Sequence, residues 1–266
     1  MFNFTPIVRN LLIVNVFLYL IAEILRINFG HIFGLYYINS PGHEFVYQPY
    51  TLFTYMFLHG SFNHLLSNMF GLLIFGSLLE HTWGPKRFLF YYLVTGIGAG
   101  VIYSIWLYLE LYPLQVGVET FLSKPNYLSF LEFVNRFDAH FYLDNNEFVK
   151  QFKAQPNAPQ FIAETTAYAQ KLFDVTASVP MVGASGAIFG LIIAFGYLFP
   201  DREMYLFLIP FPIKAKYFVA LYGVMEVYSG LIILPGDNVA HFAHLGGMLV
   251  GFLLLKYWER YRTKLY

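Results

Sequence analysis

Stretches of about 20 apolar residues recur six times along the chain, and no other feature limits the fold as much. About 20 residues, rising 1.5 Å each, cross a hydrocarbon layer about 30 Å thick. The runs fall at about 8–25, 51–79, 88–109, 179–199, 217–234 and 239–258. Only 12% of the 266 residues are charged, about half the share of a soluble domain. Too few charges remain to cover a water-facing surface. The expected class is therefore an all-α polytopic membrane protein, not a disordered chain or a soluble enzyme. There is no Cys, so thiol catalysis, disulfides and Cys-based metal sites are excluded. A formal net charge of zero speaks against nucleic acid as a partner.

Basic residues orient the spans, because Lys and Arg favour the cytoplasmic side. With six spans both termini share a side. Placing that side in the cytoplasm puts ten of the sixteen basic residues in short inner segments: Arg9, Lys86, Arg87, Arg202, Lys214, Lys216, Lys256, Arg260, Arg262 and Lys264. The short outer loops then hold only Arg26. If the host is bacterial, the membrane is the plasma (inner) membrane. The first run carries Glu23 and lacks a small-residue cleavage site, so it reads as a span and not as a removable signal.

Three segments follow: residues 1–109 with spans one to three, 110–178 as an extra-cytoplasmic insertion, and 179–266 with spans four to six. The insertion holds five basic and eight acidic residues, Asp144 among them. Tyr127–Phe137 and residues 161–173 read as amphipathic helices punctuated by Pro113, Pro125, Pro156 and Pro159. The first outer loop, 28–50, is aromatic (Phe29, Phe33, Tyr36, Tyr37, Phe45, Tyr47, Tyr50) and suits a membrane interface.

Polar side chains inside apolar spans are expensive and point to function. The second run holds His59, His64, Ser67 and Asn68, the fourth opens with Gly183-Ala-Ser185-Gly186, and the sixth contains His241, His244, Gly247 and Gly251. These three spans run in the same direction, which brings the polar residues to one depth. Ser185, about five residues into its span, is a candidate nucleophile and His244 its base. His64 and Asn68, four apart on one helical face, can donate to an oxyanion, as can the Ser185 amide in the first helical turn. Gly183 and Gly186 permit close backbone approach. No acid lies in the outer half of these spans, so a Ser–His dyad is expected and not a triad. Other readings accompany each piece. Gly183–Gly186 and Gly247/Gly251 are also small-residue packing patches. The histidines could hold a metal, although no HExxH motif or nearby carboxylate supports this; no metal and no cofactor is expected. His59 and His241 read as supporting or structural. Glu226 reads as a hydrogen-bonded structural residue or a proton relay. Glu80 is expected in an inner-surface ion network with Lys86 and Arg87.

Three motifs together resemble the rhomboid intramembrane serine proteases: His59-xxxx-His64-xxx-Asn68, Gly183-x-Ser185-Gly186, and Ala243-His244-xx-Gly247-xxx-Gly251. The resemblance covers nearly the whole chain outside the insertion. It implies a six-helix bundle with a water-filled cavity open to the outside, Ser185 as nucleophile, His244 as base, and His64, Asn68 and the Ser185 amide as the oxyanion hole. It places Phe189 against the catalytic imidazole and substrate entry near the fifth span and the cap at 235–239. Substrates would be single-span membrane proteins with a locally unstable helix. The insertion departs from the core pattern, and from its position before the serine helix and its mild acidity it is expected to cover the cavity or engage substrate ectodomains. A non-catalytic rhomboid-like protein that binds membrane clients, or a His-based metal or proton transporter, are the competing functions.

Overall fold

The computed structural model describes residues 4–41, 48–141, 145–205, 211–232 and 239–261. Phe45, Tyr47, Asp144, Leu234, residues 235–238 of the expected cap, Arg262 and Lys264 lie outside the described residues. The described chain is mostly helical and divides into two compact units. One comprises Met1–Leu35, Tyr47–Ile105 and Pro180–Tyr266, the other Tyr36–Val46 and Trp106–Val179.

The first unit starts with α1 (Pro6–Leu25), followed by α2 (Phe29–Phe33), α3 (Thr51–Thr54) and a 3₁₀ turn at Tyr55–Phe57. Pro6 suits the first turn of α1, where its missing N–H costs nothing. Both oxygens of Glu80 reach the same turn: Oε1 accepts from the Ile7 N–H and Oε2 from the Val8 N–H, each at 2.9 Å. Glu80 is only 2% exposed. It therefore caps a helix N-terminus and neutralises the positive end of its dipole, which replaces the role expected for it beside Lys86 and Arg87. Arg87 instead lays its guanidinium 4.0 Å from the centroid of the Trp258 ring.

The second apolar run does not form one helix from its start. The chain turns at Leu58–Ser61, and Ser61 caps α4 (Phe62–Gly71), its Oγ accepting from the His64 N–H at 3.2 Å. A π-helical turn at Leu72–Gly76 joins α4 to α5 (Ser77–Trp83), so the span is Phe62–Trp83 and not 51–79. Next, α6 (Pro85–Ser123) continues well past the apolar run that begins it. Pro113 lies inside α6 and does not end it, a correction to its reading as punctuation.

In the second unit, α7 (Tyr127–Phe137), α8 (Asn146–Ala154) and α9 (Pro159–Ala177) pack with the end of α6. Asn126 opens α7 with a capping box shared with Ser129. The core is aromatic: Phe121, Phe130, Phe133, Phe141, Phe152 and Phe161 are buried together. Tyr37, assigned above to an interfacial belt, is buried in this core at 3% exposure. The Tyr168 hydroxyl donates to Asp138, and burial together with that carboxylate pushes its pKa up.

The chain returns to the first unit with α10 (Ser185–Leu198), a two-residue antiparallel pair β1 (Glu203–Met204) and β2 (Ile213–Lys214), then α11 (Ala215–Leu231) and α12 (His241–Arg260). Eleven of the 14 residues of α10 are buried, so it is the central helix of its unit. Conversely α1 buries only Val8, Leu11 and Asn15 and exposes Ile13, Phe17, Leu20 and Ile24. The outer face of α11 is similarly apolar, with Tyr217, Leu221, Val224, Tyr228 and Leu231 exposed. Such faces cannot stay in water but suit lipid, where a helix pairs its interior backbone groups within itself. Three helices among the described residues are long and apolar enough to span a bilayer: Pro6–Leu25, Phe62–Trp83 and Pro85–Ser123. The protein is an integral membrane protein.

Candidate active site

The approach of α10 to α12 sets the site. A Cβ added to Gly247 would overlap the carbonyl oxygen of Gly186, so the two backbones touch directly. Only glycine at 247 permits this approach. One turn before Gly247 on α12 lies His244, and one residue before Gly186 lies Ser185, the first residue of α10. The contact brings His244 Nε2 to 2.8 Å from Ser185 Oγ. Ser185 was expected about five residues into a span. It starts its helix, because residues 180–184 are non-helical, with Met181 bridged to Leu35 and Gly183 at φ +133°. A side chain rarely tolerates that φ, and a Cβ there would also lie 2.7 Å from His64 Nε2.

At the first helical position the Ser185 N–H has no intrahelical acceptor. Two further donors flank it. His64 lies against Gly183, and Asn68 Nδ2 is 3.6 Å from the same Cβ position. Asn68 is 5% exposed, and its Nδ2 is buried without a protein hydrogen-bond partner. A buried amide left unpaired costs free energy, so this donor is free to serve a bound group. His59 lies on the turn before α4, not on the span, with its ring 5.1 Å from that of His64.

The ring of Phe189, one turn after Ser185, stacks on His244 at 4.1 Å between centroids and 8° between planes. Its other neighbour is Tyr222 of α11, stacked at 5.1 Å. This packing fixes the plane of the imidazole. Its second nitrogen, Nδ1, lies 2.9 Å from Glu226 Oε2, and His241 Nδ1 lies 2.7 Å from the same oxygen.

Glu226 is an acid beside His244 that the expected dyad does not include. The second, fourth and sixth spans carry no acid in their outer halves, which is why a dyad is expected from the sequence. The acid comes from α11 and is 7% exposed. The signal was present in the sequence as one carboxylate in an otherwise apolar stretch. The same contact corrects the statement that no carboxylate lies near the histidines. Glu226, His241 and His244 bring one potential ligand atom each within 4.8 Å of one another. Two imidazoles and a carboxylate are a donor set that metals use. In this arrangement, however, both Nδ1 atoms face one carboxylate oxygen at hydrogen-bond distance, and His244 Nε2 faces Ser185. Of the other residues singled out, Ser185, His244, His64, Asn68, Gly183, Gly186, Phe189 and His241 all gather in this part of the first unit.

The chain matches the family model for the Rhomboid domain over residues 46–118 and 161–260. It is 36% identical over 74 residues to "Rhomboid protein 1, mitochondrial" of Saccharomyces cerevisiae, covering 28% of this chain and 21% of that protein. It is 32% identical over 107 residues to "Rhomboid-like protein 11, chloroplastic" of Arabidopsis thaliana, covering 40% and 35%. Over 217 residues it is 26% identical to "RHOMBOID-like protein 12, mitochondrial" of Arabidopsis thaliana, covering 80% and 46%. The matches thus span less than half the length of these relatives.

Proposed function

The chain belongs to the rhomboid family, and on that premise we propose that it is an intramembrane serine endopeptidase that cleaves transmembrane segments of other membrane proteins. The observation that carries the reading is the 2.8 Å contact between Ser185 Oγ and His244 Nε2. Ser185 Oγ attacks the scissile carbonyl carbon while its proton passes to His244 Nε2. The oxygen that gains charge is received by the Ser185 N–H, Asn68 Nδ2 and the His64 ring. His244 then returns the proton to the departing amine, and water hydrolyses the acyl-enzyme by the same steps in reverse order of partners. No metal and no cofactor takes part.

The reading includes six spans, with both termini in the cytoplasm and residues 110–178 as an insertion on the opposite side. The basic residues support it: Lys214 and Lys216 flank the start of α11, paired with Asp201 at 3.4 and 2.8 Å. They hold the Asp201 carboxyl below the usual carboxylate range. A substituted-cysteine survey of the loops, on a chain that has no native Cys, would test the topology.

The test of activity is cleavage of a single-span model substrate by purified protein. Ser185→Ala and His244→Ala should each abolish cleavage, and a chelator should leave it unchanged. Cleavage that survives Ser185→Ala but fails with EDTA would overturn the reading. That outcome would favour a metal held by Glu226, His241 and His244, the second reading that the cluster of ligand atoms supports.

A further inference from the structure

We infer that Glu226 is the positioning carboxylate of the Ser185–His244 pair, in a chain Glu226–His244–Ser185, and that His241 holds the carboxylate in place. The inference rests on the serine-protease reading above and adds a positioning carboxylate to its Ser185–His244 pair.

The argument starts from donors and acceptors. An ionised carboxylate only accepts hydrogen bonds. Glu226 Oε2 lies 2.9 Å from His244 Nδ1 and 2.7 Å from His241 Nδ1, so both imidazoles present an Nδ1–H to it. A neutral His244 with its proton on Nδ1 keeps its lone pair on Nε2. That is the atom 2.8 Å from Ser185 Oγ. Glu226 thus selects the tautomer that a general base needs.

Charge points the same way. When Ser185 Oγ forms its bond to the substrate carbon, its proton moves to Nε2 and His244 becomes an imidazolium. The Nδ1 proton stays on His244, and Glu226 stays ionised. The new positive charge lies 2.9 Å from a buried carboxylate, in surroundings where water screens poorly. His241 is the second donor. It keeps the oxygen from turning away from His244 during turnover. Phe189 fixes the ring plane from one face, and Glu226 fixes rotation within that plane. Neither contact alone determines the direction of Nε2.

A merely structural link between α11 and α12 would survive with glutamine, whose carbonyl oxygen still accepts. The charge would not. The full-length protein in detergent micelles with a single-span substrate separates the two roles. Glu226→Gln should melt close to the parent and keep KM within about threefold. Its kcat, and the rate at which a fluorophosphonate probe labels Ser185, should each fall about 10²-fold or more. Glu226→Asp should lie between the two, because it keeps the charge but shortens the reach. A kcat for Glu226→Gln within about threefold of the parent, with Ser185→Ala and His244→Ala inactive, would overturn the assignment and leave the protease reading intact. Retained cleavage by Ser185→Ala would overturn both. The unsubstituted protein gives an independent readout if the variant does not fold. Histidine-ring ¹⁵N spectra, assigned by loss of the signal in His244→Ala, should show a protonated Nδ1 and a bare Nε2 at His244. The opposite tautomer would overturn the assignment.

Discussion

Gly247→Ala tests whether backbone packing sets the catalytic distance. The added methyl would overlap the Gly186 carbonyl oxygen, a backbone atom that no rotamer change can move. A carbon and a carbonyl oxygen rest about 3.3–3.6 Å apart, so α10 and α12 must separate locally by roughly 1 Å or more. Overpacking of this kind costs about 1–3 kcal/mol. The separation also acts one residue from Ser185 and three from His244, whose contact is 2.8 Å. Adding about 1 Å takes that pair outside hydrogen-bond range, and a misplacement of that size can cost about 10²-fold in rate. Cleavage of a single-span substrate and thermal unfolding, measured on the same preparation, read the two effects separately. Gly247→Ala should lose about 10²-fold in kcat while remaining folded at the assay temperature. A variant with the kcat of the parent would refute the argument, since the helices would have absorbed the methyl without moving Ser185 from His244.

Asn68→Ala should lower kcat about 10²–10³-fold with little change in KM, because its unpartnered amide acts on charge that develops only in the transition state; a raised KM with normal kcat, in steady-state assays, would contradict this. Glu80→Ala should lower stability by about 1–3 kcal/mol, because one buried and one part-buried N–H group of α1 lose their acceptor. Calorimetry checks the stability effect, and kcat/KM measured below the unfolding transition should stay near the parent value.

Most of the helices were legible because apolar length is a strong signal. The fifth and sixth runs became α11 and α12 with ends shifted by about two to three residues, and Tyr127–Phe137 became α7 at its stated bounds. Ends set by local chemistry were not legible. Gly60 and Ser61 interrupt the second apolar run without ending it, and only the Ser61 cap shows where α4 begins. Likewise, residues 179–184 look apolar, but Gly183 at φ +133° keeps them out of the helix. Within the site, Ser185, His244, His64 and Asn68 could be found by type and spacing. Glu226 could not be assigned, because its partners lie 15 and 18 residues away on another helix. Glu80 was misread for a related reason. Lys86 and Arg87 are near it in sequence, while the groups it meets are 73 and 72 residues away.

The brevity of α10 has a consequence for how such a chemistry could operate in lipid. At 1.5 Å per residue its 14 residues reach about 21 Å, and a hydrocarbon layer is about 30 Å thick. On the proposed topology, with Pro200 and Asp201 at the inner boundary, the helix would stop about 9 Å short of the opposite one. On that proposed topology Ser185 would stand at the floor of a well about 9 Å deep, with the backbone of 180–184 as part of its wall. Water has only that short distance to descend, whereas a peptide bond from a neighbouring lipid-embedded helix must give up its internal hydrogen bonds to come within reach. One helical turn inserted after Ser185 would raise it by about 5 Å of those 9 Å, and on the proposed reading the selection between embedded and exposed peptide bonds would weaken with the depth.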